Sequence, residues 1–434
     1  MKTREEHQNP DLSFFHGRLP YTGHYSIELP ASTTAPAASK SFADGWTIFA
    51  VGSVLSDTPN PLDAVHKAVS RSSNSDLAAL NGSFCFVAIN ETIQKAVLAV
   101  DRLATRPIYF EPAAHGVRFS SDLRSFGRGN LNLSAAAGVL ASGHVHNDDT
   151  WIRGVYYLRP GHYVCIEQGR HTVEKYWDYQ LRPVDYDLET RQTRLAELLI
   201  QAVERRTRSS NVGLFLSGGY DSRAILGACL ELGRPVTLLS FGGNSEPGSD
   251  YAIARTIADV TGLPFVALDY VPPSIQDAVR QTTLPFGAMR YPIQEMTAFA
   301  NFPAHLDTVL FGEEAFGRIP YPLRTPEDAL FALGIRNLSD VGVWRKILRP
   351  AAYRELCHLQ AESLKKMVNR ARSCPDLHAV KDYIYVTERM PRSGLMARQF
   401  VNQFAEVSYP WLDSEVLDFM STVPSSLRIG KTLY

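Results

Sequence analysis

The segment Ser217-Gly218-Gly219-Tyr220-Asp221-Ser222 concentrates two glycines, two serine hydroxyls and a carboxylate between an apolar run, VGLFL, and a run of helical character, SRAILGACLEL. Paired glycines let a backbone turn tightly and approach a ligand, while hydroxyls and the amides of a fresh helix N-terminus can face an anion. That chemistry suits a phosphate group. A Walker A loop would need a Gly-Lys-Ser/Thr end, and none is present. A plain strand-to-helix turn capped by Ser222 is the alternative use of the same residues.

The elements around this segment must hold it in place. VGLFL, VTLLSF and PFVALD read as buried strands separated by the helical runs SRAILGACLEL and DYAIARTIADVTG, which predicts a parallel, doubly wound sheet with right-handed crossovers. Ligands bind such sheets at the carboxyl ends of the strands. Upstream, LETRQTRLAELLIQAVERRT places Leu195, Leu198, Leu199, Ala202 and Val203 on one helical face and opens this second unit. After Pro320 the spacing is mostly helical (DALFALGI, VWRKILRPAAYRELCHLQAESLKKMV, SEVLDFMSTV), so a helical lobe is expected over the sheet.

From about Trp46 to Tyr179 short apolar runs such as GSFCFVAI, AVLAVD and GHYVCI alternate with turn residues and read as a β-rich layer. Helices at Pro61 to Ser70 and Ser134 to Ala141 make that unit mixed α+β. Residues 31 to 40 read as a loop. The division is expected near residue 185, giving domains 1–185 and 186–434.

A chain of 434 residues has room for two or three domains. Lys and Arg (44) nearly cancel Asp and Glu (45), which argues against a nucleic-acid-coating protein. No run of 18 apolar residues occurs and the N-terminus is polar, so no membrane association is expected and the chain is read as cytoplasmic. The five cysteines are scattered, which disfavours disulfides and structural zinc. His144 and His146 read as a polar surface turn, and KKMVNRARS as a solvated helix face.

SGGYDS resembles the pyrophosphate loop of the ATP pyrophosphatases, and from Gly45 to Tyr434 the chain resembles the asparagine synthetase family, which includes β-lactam synthetases and lasso peptide cyclases. LNGSFCFVAI, DRLATRPIYF and FSSDLRSF resemble the family's amidotransferase signatures; LFGEEAFG resembles its second acidic loop, and EVSYPWLDSEVLDFMSTVPSSLRIGK its closing helical motif. The resemblance implies an α+β Ntn-hydrolase-like (class II amidotransferase-like) sandwich followed by an α/β ATP-pyrophosphatase domain with a helical C-terminal lobe. It implies ATP and Mg²⁺ as cofactors. Ser217, Gly218, Gly219 and Ser222 would grip the β- and γ-phosphates, and Asp221 would hold Mg²⁺. Glu314, or its neighbour Glu313, would be the second metal ligand. Leu216, Ser240 and Gly312 would lie against the nucleoside. Glu406 would help deprotonate the attacking amine, and Lys431 would stabilise charge at the α-phosphate, though a residue three places from Tyr434 is open to fraying. Tyr220 is expected to pack beneath nucleotide or substrate.

Departures from the family pattern narrow the function. Glutamine-hydrolysing members use an N-terminal cysteine; here Lys2 follows Met1, and the nearest cysteine is Cys85, inside an expected strand. The family's oxyanion-stabilising Asn-Gly-Glu corresponds to Val51-Gly52-Ser53, and valine donates no hydrogen bond. The first domain is therefore expected to be an inactive amidotransferase-like domain. Ser408 replaces the arginine usual in glutamine-dependent members, a departure from an aspartate site. The expected function is an AMP- and pyrophosphate-forming amide ligase that closes an amide within one substrate carrying a carboxylate and an amine, small molecule or peptide, as in lasso cyclases or β-lactam synthetases. A peptide-processing partner protein accompanies the lasso reading. An ammonia-dependent asparagine synthetase-like enzyme and a nucleotide-binding pseudoenzyme are the alternatives; a tRNA-modifying pyrophosphatase would need a basic surface. The acceptor pocket is expected along Leu284 to Phe299, with Arg290 and Glu295.

Overall fold

A computed structural model describes residues 15–30, 36–208, 211–242, 246–270, 274, 298–316 and 322–433. Most of the expected acceptor stretch, Arg290 and Glu295 included, lies outside the described residues.

The N-terminal unit is a sandwich of two antiparallel sheets. One runs Ser26–Glu28, His16–Pro20, Gly116–Ser120, Tyr109–Ala113, Tyr156–Tyr157; the other runs Arg170–Lys175, His162–Glu167, Lys95–Val100, Asn81–Asn90, Trp46–Leu55, Ala37–Ser41. Alternation along Asn81–Asn90 explains its nearly unbroken apolar run. Cys85 and Val87 enter the core between the sheets, while Phe84, Phe86 and Ala88 face a second core beneath the helix Pro61–Ser70. That helix starts where Asn60 accepts from the Leu62 N–H and Pro61 presets the first turn. The expected loop at residues 31 to 40 is in part a strand, because Ala37–Ser41 pairs as an edge with Trp46–Leu55.

Residues 176–187 carry no helix or strand. This connector instead pairs with the end of the C-terminal lobe, Arg182 and Val184 N–H groups donating to Ser421 and Thr422 carbonyls. The helix Leu188–Arg206, capped by Asp187, then buries Leu195, Leu198, Leu199, Ala202 and Val203 as its periodicity predicts. The sheet beyond it is parallel throughout, in the order Phe265–Leu268, Val236–Phe241, Val212–Phe215, Thr308–Leu310, Glu406–Ser408. Its last two strands, each three residues long, are too short to register as a periodic pattern, and Glu406 consequently sits on an edge strand rather than in a helical motif.

Helices Pro326–Ala332, Pro350–Arg370, Leu377–Ile384 and Ser414–Ser421 build the lobe. The long helical run expected from Val343 breaks at Arg349, whose extended backbone (ψ 139°) precedes Pro350 at the first helical position. Among the described residues no helix is long and apolar enough to cross a membrane. None of the five cysteines is in a disulfide.

Two surface expectations are corrected. His144 and His146 are each only 2% exposed: their loop follows the helix Leu133–Ser142, which packs on Pro350–Arg370, and Gln360 of that partner donates to His146 Nδ1 at 3.5 Å. Within KKMVNRARS, Met367 is buried and Arg370 binds buried Glu388. Burial, then nearby Arg392 and Arg389, push His146 down to about 3; burial, then His146 and Arg389, push His144 well below the usual imidazole range. The unfolded chain takes up these protons near pH 6.5 and the folded one does not, so stability falls as pH drops below about 6.5, by up to about 1.4 kcal/mol per pH unit for each ring, the His146 share ending near pH 3. We expect the urea midpoint to fall between pH 7.5 and 5.5, and His146→Asn to flatten that dependence; equal slopes in the two proteins would refute the assignment.

Candidate functional site

The loop after the central strand is built as the sequence implies. Leu216 N–H donates to Leu239 C=O at 2.8 Å, which puts buried Leu216 and Ser240 side by side at the carboxyl end of the sheet. Ser217 and Ser222 hydroxyls lie 3.1 Å apart, Ser222 Oγ accepts from Ser217 N–H, and Gly219 N–H donates to Ser217 Oγ at 3.2 Å. Gly218 N–H donates to Asp250 Oδ1 at 2.8 Å, and a Cβ on Gly218 would lie 2.6 Å from Ile253 Cδ1, so any larger residue would have to push the end of Ile253 aside. The helix Tyr220–Glu231 starts from Gly219 without a side-chain cap, an opening that suits an anion. Gly312 packs against this start: its Cβ would stand 3.0 Å from Ser222 N.

Asp221, in the first turn, is 8% exposed. Both its carboxylate oxygens accept from Lys431 Nζ. The two expected residues thus come together across 210 positions of sequence. Lys431 is not frayed. Arg428 is fully buried, donates to Ser425 Oγ at 2.8 Å and pairs with Asp382 at 3.5 Å; beyond the lysine, Leu433 is 1% exposed and its N–H donates to Leu427 C=O. Gly430 and Lys431 both take left-handed backbone conformations (φ 63° and 59°), which swing the ammonium back over the helix start.

Other expected residues are placed differently. Glu314 is 0% exposed, and its Oε2 accepts from Phe316 N–H at 2.6 Å, so it closes its own loop. Glu313 pairs with Arg398 at 3.5 Å. Among the described residues no three His, Cys, Asp or Glu side chains converge as a metal cage. Tyr220 is 64% exposed, with the Arg223 guanidinium 4.7 Å from its ring centre, rather than packed beneath a ligand. Glu406 is level with Thr308 and, through it, with Val212 at the starting edge of the sheet, whereas Ser217 follows the other end. It faces the sandwich, 3.8 Å from Arg106 Nη2.

Sequence reasoning missed that seam and one anchor. Asn81 and Arg102 of the sandwich bind Asp413 and Asp418 of the closing segment, beside Arg106 and Glu406; the excess of arginine on one side and carboxylate on the other was the available signal. Trp411 is 1% exposed and its indole Nε1–H donates to Asp221 C=O at 3.0 Å. In the sandwich, Val51 is buried in the core opposite Cys85, and burial pushes the Cys85 thiol up to about 12, which leaves no thiolate to act. A cavity of about 20 Å³ beside Ser53, Asp101 and Ser408 has room for about one water.

Comparison with known proteins fits this order of parts. The glutamine amidotransferase domain family matches residues 56–177, and the asparagine synthase family matches residues 194–313, a span that stops short of Glu406 and Lys431. Amidase chry2 of Gibberella zeae is 28% identical over 213 residues, covering 43% of this chain and 31% of the relative. Amidase chyE of Penicillium rubens is 25% identical over 184 residues (40% and 27%). A putative asparagine synthetase (glutamine-hydrolyzing) 2 of Methanocaldococcus jannaschii is 26% identical over 162 residues (35% and 31%). The chain spans about a third of the length of the curated relatives it matches. With an amidotransferase-type sandwich followed by an asparagine synthase-type sheet, the chain is similar, over the matched residues, to the asparagine synthetases and their relatives.

Proposed function

We propose that the protein is an ATP-dependent carbon–nitrogen ligase that releases AMP and pyrophosphate and joins a substrate carboxylate to an amine. The observation that carries this reading is the uncapped helix start behind Ser217–Ser222, with Asp221 and Lys431 in contact at its mouth. The donor set fits a nucleotide: Ser217, Gly218, Gly219 and Ser222 would hold the terminal phosphates, with Leu216, Ser240 and Gly312 lining the nucleoside side. Mg²⁺ takes one or two carboxylates plus phosphate oxygens and water, and Asp221 supplies the first; of the two loop glutamates, Glu313 keeps some exposure (18%) and Glu314 does not. When bound, the metal supplies charge neutralisation on the departing pyrophosphate.

In this scheme the substrate carboxylate oxygen bonds to the α-phosphorus as the bond to the β-phosphate oxygen breaks. Lys431 follows the charge on the α-phosphate, as a mobile ammonium can. The amine nitrogen then bonds to the activated carbonyl carbon, AMP departs, and the nitrogen loses a proton. Glu406 is the proton acceptor that the resemblance puts forward, and its assignment rests on that resemblance, since its strand position lies at the opposite edge of the sheet from Ser217 and it faces Arg106. Residues 1–185 are proposed as an amidotransferase-like domain without glutaminase activity, supported by buried Val51 and the neutral Cys85 thiol, and residues 186–434 as the synthetase domain. The amine then belongs to the substrate itself, small molecule or peptide, with a peptide-processing partner in the lasso-type case; free ammonia is the second reading, supported by relatives named asparagine synthetases. A cytoplasmic location is part of the proposal.

Product analysis tests it. Mg·ATP would be supplied with aspartate, glutamate or acidic peptides with free N-termini, each with and without ammonium or glutamine. AMP and pyrophosphate are expected with at least one carboxylate and without glutamine. Glu406→Gln should leave ATP–pyrophosphate exchange within about twofold and slow amide closure about a hundredfold, the size of a lost general base. Amide hydrolysis in the absence of ATP, which the relatives named amidases raise, or retention of bound ATP without AMP under every condition, would sink the ligase reading.

A further inference from the structure

We infer that Trp411 is a positioning residue for Asp221, setting the metal-binding side of the nucleotide site through the indole N–H. This rests on the proposed reading of Asp221 as the Mg²⁺ ligand. Asp221 stands in the first turn of the helix Tyr220–Glu231, and Gly219 supplies no side chain to cap it. Helix starts of this kind fray unless something outside the helix holds them. Here the hold comes from a distant part of the chain. Trp411, in the turn Pro410–Leu412 that follows the edge strand, donates from Nε1 to the Asp221 carbonyl at 3.0 Å across 190 positions.

The indole is itself enclosed. It is 1% exposed, and its ring meets Phe316 edge-on at 5.7 Å and 76°. Phe316 closes the acidic loop, because its N–H is the donor to Glu314 Oε2. One side chain therefore ties the phosphate helix to the acidic loop and the closing segment, the three segments that carry Asp221, Glu313 and Lys431. A carbonyl oxygen accepts a second hydrogen bond in addition to its bond within the helix, so the indole N–H adds a constraint on the direction of the Asp221 residue without replacing a helical bond. A metal ligand held in direction loses less freedom on binding, and the lost contact is worth roughly three- to tenfold in affinity.

The test uses the full chain, Mg²⁺ and ATP. Calorimetric titration gives the ATP affinity in excess Mg²⁺ and again in EDTA. Trp411→Phe keeps an aromatic ring in the pocket and removes the donor; 3-benzothienylalanine at position 411 keeps the bicyclic shape as well, and guards against misfolding of the phenylalanine variant. Both are expected to weaken Mg·ATP binding about three- to tenfold while leaving metal-free ATP binding within twofold. A general loosening of the fold would weaken both, and that result overturns the inference. So does unchanged Mg·ATP binding in the benzothienyl protein when Asp221→Asn weakens it. If Asp221→Asn itself leaves Mg·ATP binding unchanged, the reading of Asp221 fails instead, and the two failures are told apart.

Discussion

Replacing Asp221 by asparagine is expected to lower AMP and pyrophosphate formation by at least about a thousandfold, while the protein stays folded. Asparagine matches aspartate in shape, so the helix start, the Trp411 bond to the backbone carbonyl and the Gly312 contact remain. What disappears is the Asp221 carboxylate; the other carboxylate at the loop, Asp250, stays engaged with the Gly218 N–H. A bound divalent ion contributes several kcal/mol to charge stabilisation at a transferring phosphoryl group, and at about 1.4 kcal/mol per decade three decades correspond to about 4 kcal/mol. The fold loses little, because the Lys431 side chain is 17% exposed and its ammonium can turn to solvent. Lys431→Met should cost less, about a hundredfold, since a mobile charge is lost and the metal ligand is retained. Steady-state release of pyrophosphate, with a urea midpoint for each variant, checks both. Activity above a tenth of the starting protein in Asp221→Asn would show that the loop binds its phosphates without the metal geometry proposed here.

The loop itself was legible in the sequence because its determinants are local: glycines that turn the chain, hydroxyls a few residues apart, an apolar strand before and a helix after. The helix Leu188–Arg206 was legible for the same reason, its buried face repeating at the helical period. Everything that depends on distant partners was not. Strands of three residues have no period to read, so Thr308–Leu310 exists only because Val212–Phe215 offers it a neighbour, and Glu406–Ser408 only because Thr308–Leu310 does. Glu313 and Glu314 look equivalent as letters; a backbone donor at Phe316 turns one inward and Arg398 takes the other. His144 and His146 stand in a run of polar and turn residues that suggests solvent, and only the packing of Leu133–Ser142 on Pro350–Arg370 buries them. Asp221 and Lys431 were each named through the family resemblance, but their contact was not, and the arginine-lined seam, built from Arg102 and Arg106 on one unit and Asp418 and Glu406 on the other, likewise joins residues far apart in the chain.

The largest stability effect is expected at Glu388, in the lobe. This carboxylate is 2% exposed, and its Oε1 accepts from Arg159 at 2.7 Å and Arg370 at 2.6 Å, while Oε2 accepts from Asn147 N–H at 3.1 Å. Arg159 and Asn147 belong to the sandwich, Arg370 to the helix Pro350–Arg370, and Glu388 to the wide π-type turn Tyr385–Leu395, so one side chain clasps both units. Arg392 of the same turn reaches across to the Val145 carbonyl, at 3.3 Å. Burial, the largest single influence, pushes the Glu388 carboxyl up, and Arg159, Arg370 and Arg392 together outweigh it and hold the group below the usual carboxylate range. Glu388→Gln leaves guanidinium groups facing one another with no counter-charge, and breaking a buried pair from one side costs about 3–5 kcal/mol. Replacing Arg370 as well removes part of that repulsion, so the double variant Glu388→Gln/Arg370→Met should recover some of the loss instead of adding to it. The sign with pH follows from the lowered value: the contribution is complete above the unfolded carboxyl value of about 4.3 and fades as pH falls through the lower folded value. Urea midpoints at pH 7 should therefore separate Glu388→Gln from the parent protein by most of its margin of stability, and midpoints near pH 3.5 should separate them less. Additive losses in the double variant, or a gap that does not narrow in acid, would mean that Glu388 acts through packing and not through its charge.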